Sequence, residues 1–342
     1  MRSIDGFTRG INLGGWLSQY RTYSIEHFDS FISEADIKRI ASWGLDHVRV
    51  PVDYEVVENE DGSVRESGYV YIDNCIQWCI KYGIRMVLDL HKTYGYSFDP
   101  MEKTDKEIFF HKGELQERFY ALWQRLASRY AKYSDVVCYE LLNEIACHDV
   151  YNEWNVIATT CIKRIREVAP DNWIIYGGVD YNGVMAVPLL TNPCDDKTAF
   201  TFHCYDPFLF THQGCYWLDA MPRDFRIGYP ATIDEYKRLS AGTELEHFAM
   251  AIFSDGIDTT GPDMFAKLFE PALKKCEELN VPVYVGEYGV IDIAKPEDRL
   301  KWLKDINSVF TKYNVARAYW SYRKMDFGVD DVSDDDELIK YL

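Results

Sequence analysis

Two glutamates close short apolar runs: Glu144 ends Tyr-Glu-Leu-Leu-Asn-Glu (139–144), and Glu287 lies in Tyr-Val-Gly-Glu-Tyr-Gly (284–289). Paired carboxylates in unlike surroundings can divide one reaction, one held ionised and the other protonated, which suits cleavage of a glycosidic bond. Other apolar runs also stop at polar or aromatic residues. Val-Arg-Val-Pro carries Arg49, Leu-Asp-Leu-His carries His91, Phe-His-Cys-Tyr carries His203 and Tyr205, and Ala-Tyr-Trp-Ser carries Trp320. In a retaining reaction one carboxylate attacks the anomeric carbon and the other protonates the departing oxygen. Arg49 is the cation expected to keep the attacking group charged, and Tyr205 the hydroxyl expected to orient it. Asn143, directly before Glu144, is placed to reach the sugar 2-hydroxyl as positive charge develops on the ring. Taken singly these signals are weak, since a lone terminal Glu is usually solvated and a lone His usually a satisfied core residue.

What must position them is a set of strands that end on one side. The β-branched and apolar runs at Gly10–Leu13, His47–Val52, Ile84–Leu90, Val136–Leu142, Trp173–Tyr176, Ala199–Tyr205, Val281–Gly286 and Ala316–Ser321 read as eight strands. Amphipathic stretches between them predict helices over Ser33–Trp43, Tyr71–Tyr82, Glu114–Tyr133, Trp154–Val168, Asp263–Leu279 and Glu297–Tyr313, with Ser33 and Asp36 spaced as a capping box. Eight strand-helix units in one chain predict an α/β fold, a (β/α)8 TIM barrel forming a single domain over 1–342, with functional residues at the C-terminal strand ends. The sixth and seventh strands are unusually far apart. Residues 206–262 therefore read as an insertion, rich in aromatics, that forms a lid or cleft wall over the mouth.

Composition narrows the classes further. The 342 residues are 47% hydrophobic and 27% charged, which supplies a large core and excludes a disordered or fibrous chain. Lys and Arg number 37 against 55 Asp and Glu, a net charge of −18 that repels phosphate backbones and anionic lipid, so neither nucleic acid nor a membrane is an expected partner. A neutral sugar is indifferent to that field. The nine cysteines show no CxxC pair or regular framework, so zinc and a disulfide scaffold are poor readings, no metal or other cofactor is expected, and free thiols suit a reducing or anaerobic setting. The beginning of the chain has no apolar signal core, which predicts a cytoplasmic protein or one whose export signal has been removed.

The set Arg49, His91, Asn143-Glu144, His203-x-Tyr205, Glu287 and Trp320, each ending its own strand, resembles glycoside hydrolase family 5 of clan A, as does Arg-Gly-Ile-Asn-Leu-Gly-Gly-Trp-Leu at 9–17. Within that family the insertion with Phe208–Gln213 and the ending Lys-Met-Asp-Phe (324–327) are most similar to clostridial endo-1,4-β-glucanases. The resemblance implies that Glu144 is the acid/base and Glu287 the nucleophile. It makes Arg49, Asn143, His203 and Tyr205 a supporting shell, has His91 touch the sugar on the non-reducing side of the cut, and gives Trp320 as its stacking floor. Ile145 stands where many members have Pro.

Pyranose rings present flat C–H faces that pack on aromatic rings. Trp16, Tyr20, Tyr94, Tyr96, Trp154, Tyr181, Phe208 and Trp217 lie in or near loops after strands and are further sugar-platform candidates, whereas Trp43, Trp78, Trp123 and Trp302 fall in helical patterns and read as packing. The expected partner is a β-glucan polysaccharide or oligosaccharide cleaved internally. An exo-β-1,3-glucanase, a β-mannanase and a barrel that binds carbohydrate without cleaving it are the competing readings.

Overall fold

The computed structural model describes residues 2–103, 105–251 and 256–342. Eight parallel strands close into a barrel in chain order: β1 Arg9–Asn12, β2 His47–Asp53, β3 Arg85–Lys92, β4 Val137–Glu140, β5 Ile174–Tyr176, β6 Thr198–Cys204, β7 Val283–Tyr288 and β8 Ala316–Tyr319. Closure is made by β8, which pairs with both β7 and β1. All eight expected strands are present within a few residues. Six long helices surround them: α1 Glu34–Ser42, α2 Glu66–Tyr82, α3 Gly113–Tyr130, α4 Tyr151–Arg166, α5 Pro262–Leu279 and α6 Pro296–Tyr313. The acid of the expected capping box reaches back, with the Ser33 N–H 2.8 Å from Asp36 Oδ2.

The eight units are not all strand plus long helix. After β5 the chain makes a short turn at Val179–Asn182 and a 3-10 segment at Val184–Leu189 that contains Pro188, which can neither donate a backbone hydrogen bond nor continue an α-helix comfortably. Helix α5 packs against that segment and covers the gap. After β8 the chain finishes in a 3-10 turn at Glu337–Tyr341.

Alternation along the strands sorts the two faces. Outward residues such as Val48, Val50, Met86, Leu88, Phe200, Phe202, Val283 and Val285 are buried with the helix residues Ile40, Ile72, Ile76, Trp123, Ile162, Phe269, Trp302 and Phe310 in one core. Trp43 and Trp78 pack on the same core. Inside the barrel, Ile4 and Phe7 plug the bottom beneath a layer of Val87, Cys138, Ile175, Ala199, Tyr284, Ala316 and Ala318. Two residues further up, the same inward faces carry Asp89 and Glu140, so an apolar layer supports a charged one. Among the described residues no helix is long and apolar enough to cross a membrane.

Beyond β6 the insertion expected over 206–262 forms short helices at Phe208–Thr211, Ile233–Ser240 and Glu246–Ala251, while residues 252–255 lie outside the described residues. Backbone bonds Thr260 N–H to Ala231 O (2.9 Å) and Ile233 N–H to Asp258 O (2.8 Å) tie its base. Helix α6 anchors it: Trp302 Nε1–H donates to Asp206 O at 2.9 Å, and Tyr229 donates to Asp305 at 3.1 Å.

An irregularity in β7 aims its end. Phe202 faces Val285 but His203 faces Glu287, so Gly286 is an extra residue on β7. A Cβ there would lie 2.9 Å from His203 Nε2 and 3.2 Å from Thr201 Oγ1, which is the physical need for glycine. Gly286→Ala is therefore expected to destabilise the fold by about 1–3 kcal/mol through overpacking, read as a lower urea midpoint. An unchanged midpoint would mean that the His203 imidazole has room to move.

Candidate active site

Arg49, inward on β2, is fully buried and organises the mouth from below. Its Nε and Nη2 hold Glu140 at 2.7 and 3.1 Å, Nη2 also reaches Asn143 Oδ1 at 2.8 Å and Asp89 at 3.1 Å, and Nη1 reaches Asn12 at 2.9 Å and Glu287 Oε1 at 2.8 Å. Burial pushes Asp89 and Glu140 up to about 7 even against the pull of the guanidinium. Asp89, Glu140 and Asn12 were not singled out from the sequence. They lie inside the barrel rather than past a strand end, and the available signal was the two-residue spacing of Asp89 from His91 together with the acceptors that any buried arginine demands.

Glu287, next to last in β7, has both oxygens engaged, Oε1 by Arg49 and Oε2 by the Tyr205 hydroxyl at 2.8 Å. Glu144, past β4, touches no guanidinium; its Oε1 is 2.8 Å from His203 Nδ1, which is also 3.7 Å from Glu287 Oε2. One atom each of Glu144, His203 and Glu287 fall within 4.8 Å of one another. Burial, then the charge on Glu287, push Glu144 well above the ordinary carboxylate value. Burial also raises Glu287, but Arg49 and the Tyr205 hydrogen bond pull it back, so Glu144 is the member that keeps its proton. Burial, aided by Arg49, holds His203 neutral, and its Nδ1 can accept from the protonated acid or donate to its anion. By distance the trio could hold a metal ion, but both Glu287 oxygens are already committed and one of them faces a guanidinium that would repel a cation.

The turn bearing Glu144 is fastened on three sides. Asn143 N–H donates to Leu90 O (3.1 Å) and Tyr181 N–H to Ile145 O (2.9 Å). The Tyr96 hydroxyl donates to Glu144 O at 2.6 Å and accepts from Ala146 N–H at 2.8 Å. Asn143 Nδ2 is buried with no hydrogen-bond partner among the described residues, a donor left free beside the two carboxylates.

On the opposite wall, Asp89 fixes His91 through Nδ1 at 2.6 Å, and the His91 ring lies parallel to Trp320, 4° between planes with centroids 5.9 Å apart. Burial keeps His91 neutral. A Cβ on Gly14 would meet the Trp320 ring at 2.7 Å, so the Gly-Gly-Trp segment after β1 leaves room for this indole.

Several sugar-platform candidates prove to be something else. Trp16 is fully buried, donates to Phe28 O at 2.8 Å and stacks on Trp78, because the turn after β1 sends it behind the barrel toward the helices. Trp154 is likewise buried and donates to Gly177 O at 2.7 Å. Tyr96 staples the Glu144 turn. Phe208 has parallel rings 4.2 Å (His212) and 4.5 Å (Phe248) away, which cannot share one face, so neither face is free for a sugar. Arg118 sits 3.6 Å over Tyr94, and Tyr20 packs edge-on with Tyr23 and Phe28. Tyr181 remains, 47% exposed in a left-handed turn above the Glu144 loop, as does half-buried Trp217, which meets Phe327 of the loop after β8.

A model of the family described as Cellulase (glycosyl hydrolase family 5) matches residues 8–326. Cellodextrinase A of Ruminococcus flavefaciens is 43% identical, covering 95% of this chain and 88% of its own. Endoglucanase C of Acetivibrio thermocellus is 38% identical, covering 94% and 93%. The crystal structure of the clostridial cellulose synthase subunit Z from Clostridioides difficile superposes with a TM-score of 0.73 at 25% identity, covering 94% of each chain. The closed barrel, the paired glutamates at its mouth and a family match across nearly the whole length lead to one statement: this chain belongs to glycoside hydrolase family 5.

Proposed function

We propose that the protein is a retaining endo-β-1,4-glucanase acting on soluble β-glucan chains and cello-oligosaccharides. The observation that carries the mechanism is the spacing of the two glutamates, which bring an oxygen of each within 4.8 Å. Carboxyl groups about 5–5.5 Å apart suit direct attack, whereas a gap of about 6.5–9.5 Å leaves room for an intervening water. The names borne by the relatives, a cellodextrinase and an endoglucanase, support the β-1,4-glucan reading.

In this reading Glu287, ionised beside Arg49 and held by Tyr205, attacks the anomeric carbon. Glu144 gives its proton to the departing oxygen, then takes one from the water that releases the sugar. Asn143 Nδ2 donates to the 2-hydroxyl as charge builds on the ring. Trp320 and His91 support the sugar on the non-reducing side, and Tyr181, on the Glu144 side, faces the leaving chain. The insertion, with Trp217, serves as one wall of the cleft.

Glu287→Ala is expected to remove nearly all activity, and Glu144→Gln about 10²- to 10⁴-fold, with both variants folded by circular dichroism; a loss under tenfold at Glu144 would mean that another group is the acid. Anomeric analysis by proton NMR should show the β product first, and an α product first would refute retention.

The pH profile has a defined sign. Glu287 must be ionised, so activity falls as pH drops through its raised value; Glu144 must be protonated, so activity falls as pH climbs through its higher one. With an aryl cellobioside, whose leaving group needs little protonation, Glu144→Gln should lose the alkaline limb and keep the acid limb. Persistence of the alkaline limb would assign it elsewhere. Product analysis on carboxymethyl cellulose, mixed-linkage glucan, laminarin and mannan tests the substrate: a ladder of cello-oligosaccharides is expected, glucose alone would refute endo action, and a preference for mannan or laminarin would refute the β-1,4-glucanase reading.

A further inference from the structure

Tyr205 is the last residue before the insertion, and the insertion's first turn folds back onto it. The Thr211 hydroxyl donates to the Tyr205 carbonyl. The His212 ring meets the Tyr205 ring edge-on, 5.0 Å between centroids at 81°, and Phe327 meets it at 5.7 Å. His212 is itself clamped, stacked on Phe208 at 4.2 Å and bonded through Nδ1 to Thr211 Oγ1 at 3.0 Å. Thr211 also accepts, through its own carbonyl, the N–H of Ile291 at 2.9 Å, four residues past Glu287. Both Thr211 and His212 are buried, and among the described residues neither is hydrogen-bonded or ion-paired to the Glu287 carboxylate. Thr211 therefore joins the residue that hydrogen-bonds Glu287, through its hydroxyl, to the loop that leaves Glu287, through its own carbonyl, with the His212 ring packed against Tyr205.

We propose that Thr211 and His212 are positioning residues for the nucleophile, through which the insertion holds the Tyr205 hydroxyl on Glu287. This rests on the reading of Glu287 as nucleophile. The groups that face the Glu287 carboxylate are Arg49 from β2, Asp89 and His91 from β3, Glu144 after β4, His203 from β6 and Tyr205 directly after it. Of these, among the described residues, Tyr205 is the one that contacts the pair. His212 does not titrate in the working range, since burial holds it down to about 3. A hydroxyl donated to a carboxylate favours the charged form, so loosening Tyr205 must move the Glu287 limb upward.

The test measures pH profiles of kcat and kcat/KM for Thr211→Val, Tyr205→Phe and the double variant, with Thr211→Ser as the conservative control. Thr211→Val is expected to lower kcat about tenfold with little change in KM and to raise the acid limb by about half a pH unit. Thr211→Ser should restore both, and in the Tyr205→Phe background Thr211→Val should add less than a twofold loss. An unmoved acid limb, or losses that multiply in the double variant, would overturn the proposal. If Thr211→Val does not fold, His212→Leu takes its place in the same cycle with the same expectations. The two readings fail separately: an active Glu287→Ala removes the nucleophile assignment, while an inactive Glu287→Ala beside an unmoved Thr211→Val limb removes the positioning claim alone.

Discussion

The site depends on one buried cation. Taking a guanidinium out of water costs several kcal/mol unless its five N–H groups find acceptors with good geometry. Arg49 finds them in Asn12, Asp89, Glu140, Asn143 and Glu287, drawn from β1, β3, β4 with the turn that follows it, and β7. Those partners share a shape requirement, because a planar fork is satisfied only when the strands that carry them hold their register. A lysine in its place would offer three donors from a single point. The charge count matters as much as the geometry. Asp89, Glu140 and Glu287 surround one positive charge, Glu144 lies just beyond, and four ionised carboxylates cannot be maintained around one cation in a dry site. The proton therefore falls to the carboxylate that Arg49 does not reach, which is Glu144. In the proposed mechanism the difference between acid and nucleophile follows from where one arginine points.

The barrel makes that arrangement possible by layering. Side chains two apart on a strand share a face, so Val87 beneath Asp89 and Cys138 beneath Glu140 give the charged layer an apolar base that keeps water out from below. Space is set by missing atoms as much as by those present: Gly286 lets His203 lie against β7, and Gly14 lets Trp320 lie against the turn after β1. Either position filled with a methyl group would move a side chain that lines the mouth.

The strands and the residues at their ends were legible because the same local signal marks both, an apolar alternating run that stops at a polar residue. Arg49, His91, Asn143, Glu144, His203, Tyr205, Glu287 and Trp320 all converge on one mouth. Asp89 and Glu140 were overlooked because a charged residue within an apolar run looks like an irregularity until its partner is known, and that partner sits on another strand. The aromatics failed for a different reason. Their place in a loop is readable, but the side to which a ring turns is decided by tertiary packing, which sent Trp16 and Trp154 into the core and sandwiched Phe208. The missing helix after β5 follows the same pattern, since a neighbouring helix covers the strand from a part of the chain far away in sequence.

In the proposed mechanism the proximity that raises Glu144 also supplies its change of role. While Glu287 is ionised, its charge and the dry surroundings favour a proton on Glu144. On that proposal, once Glu287 is esterified to the sugar it carries no charge, and that part of the upward push on Glu144 disappears at the moment it has given its proton away. Glu144 is then left as a carboxylate with His203 beside it and a neutral ester opposite, which is the state that can take a proton from the incoming water. Hydrolysis of the ester returns the charge to Glu287, and with it the preference of Glu144 for its proton. In this proposal the side chain that Arg49 does not hold serves as acid and then as base, and the charge on the one that Arg49 does hold sets which.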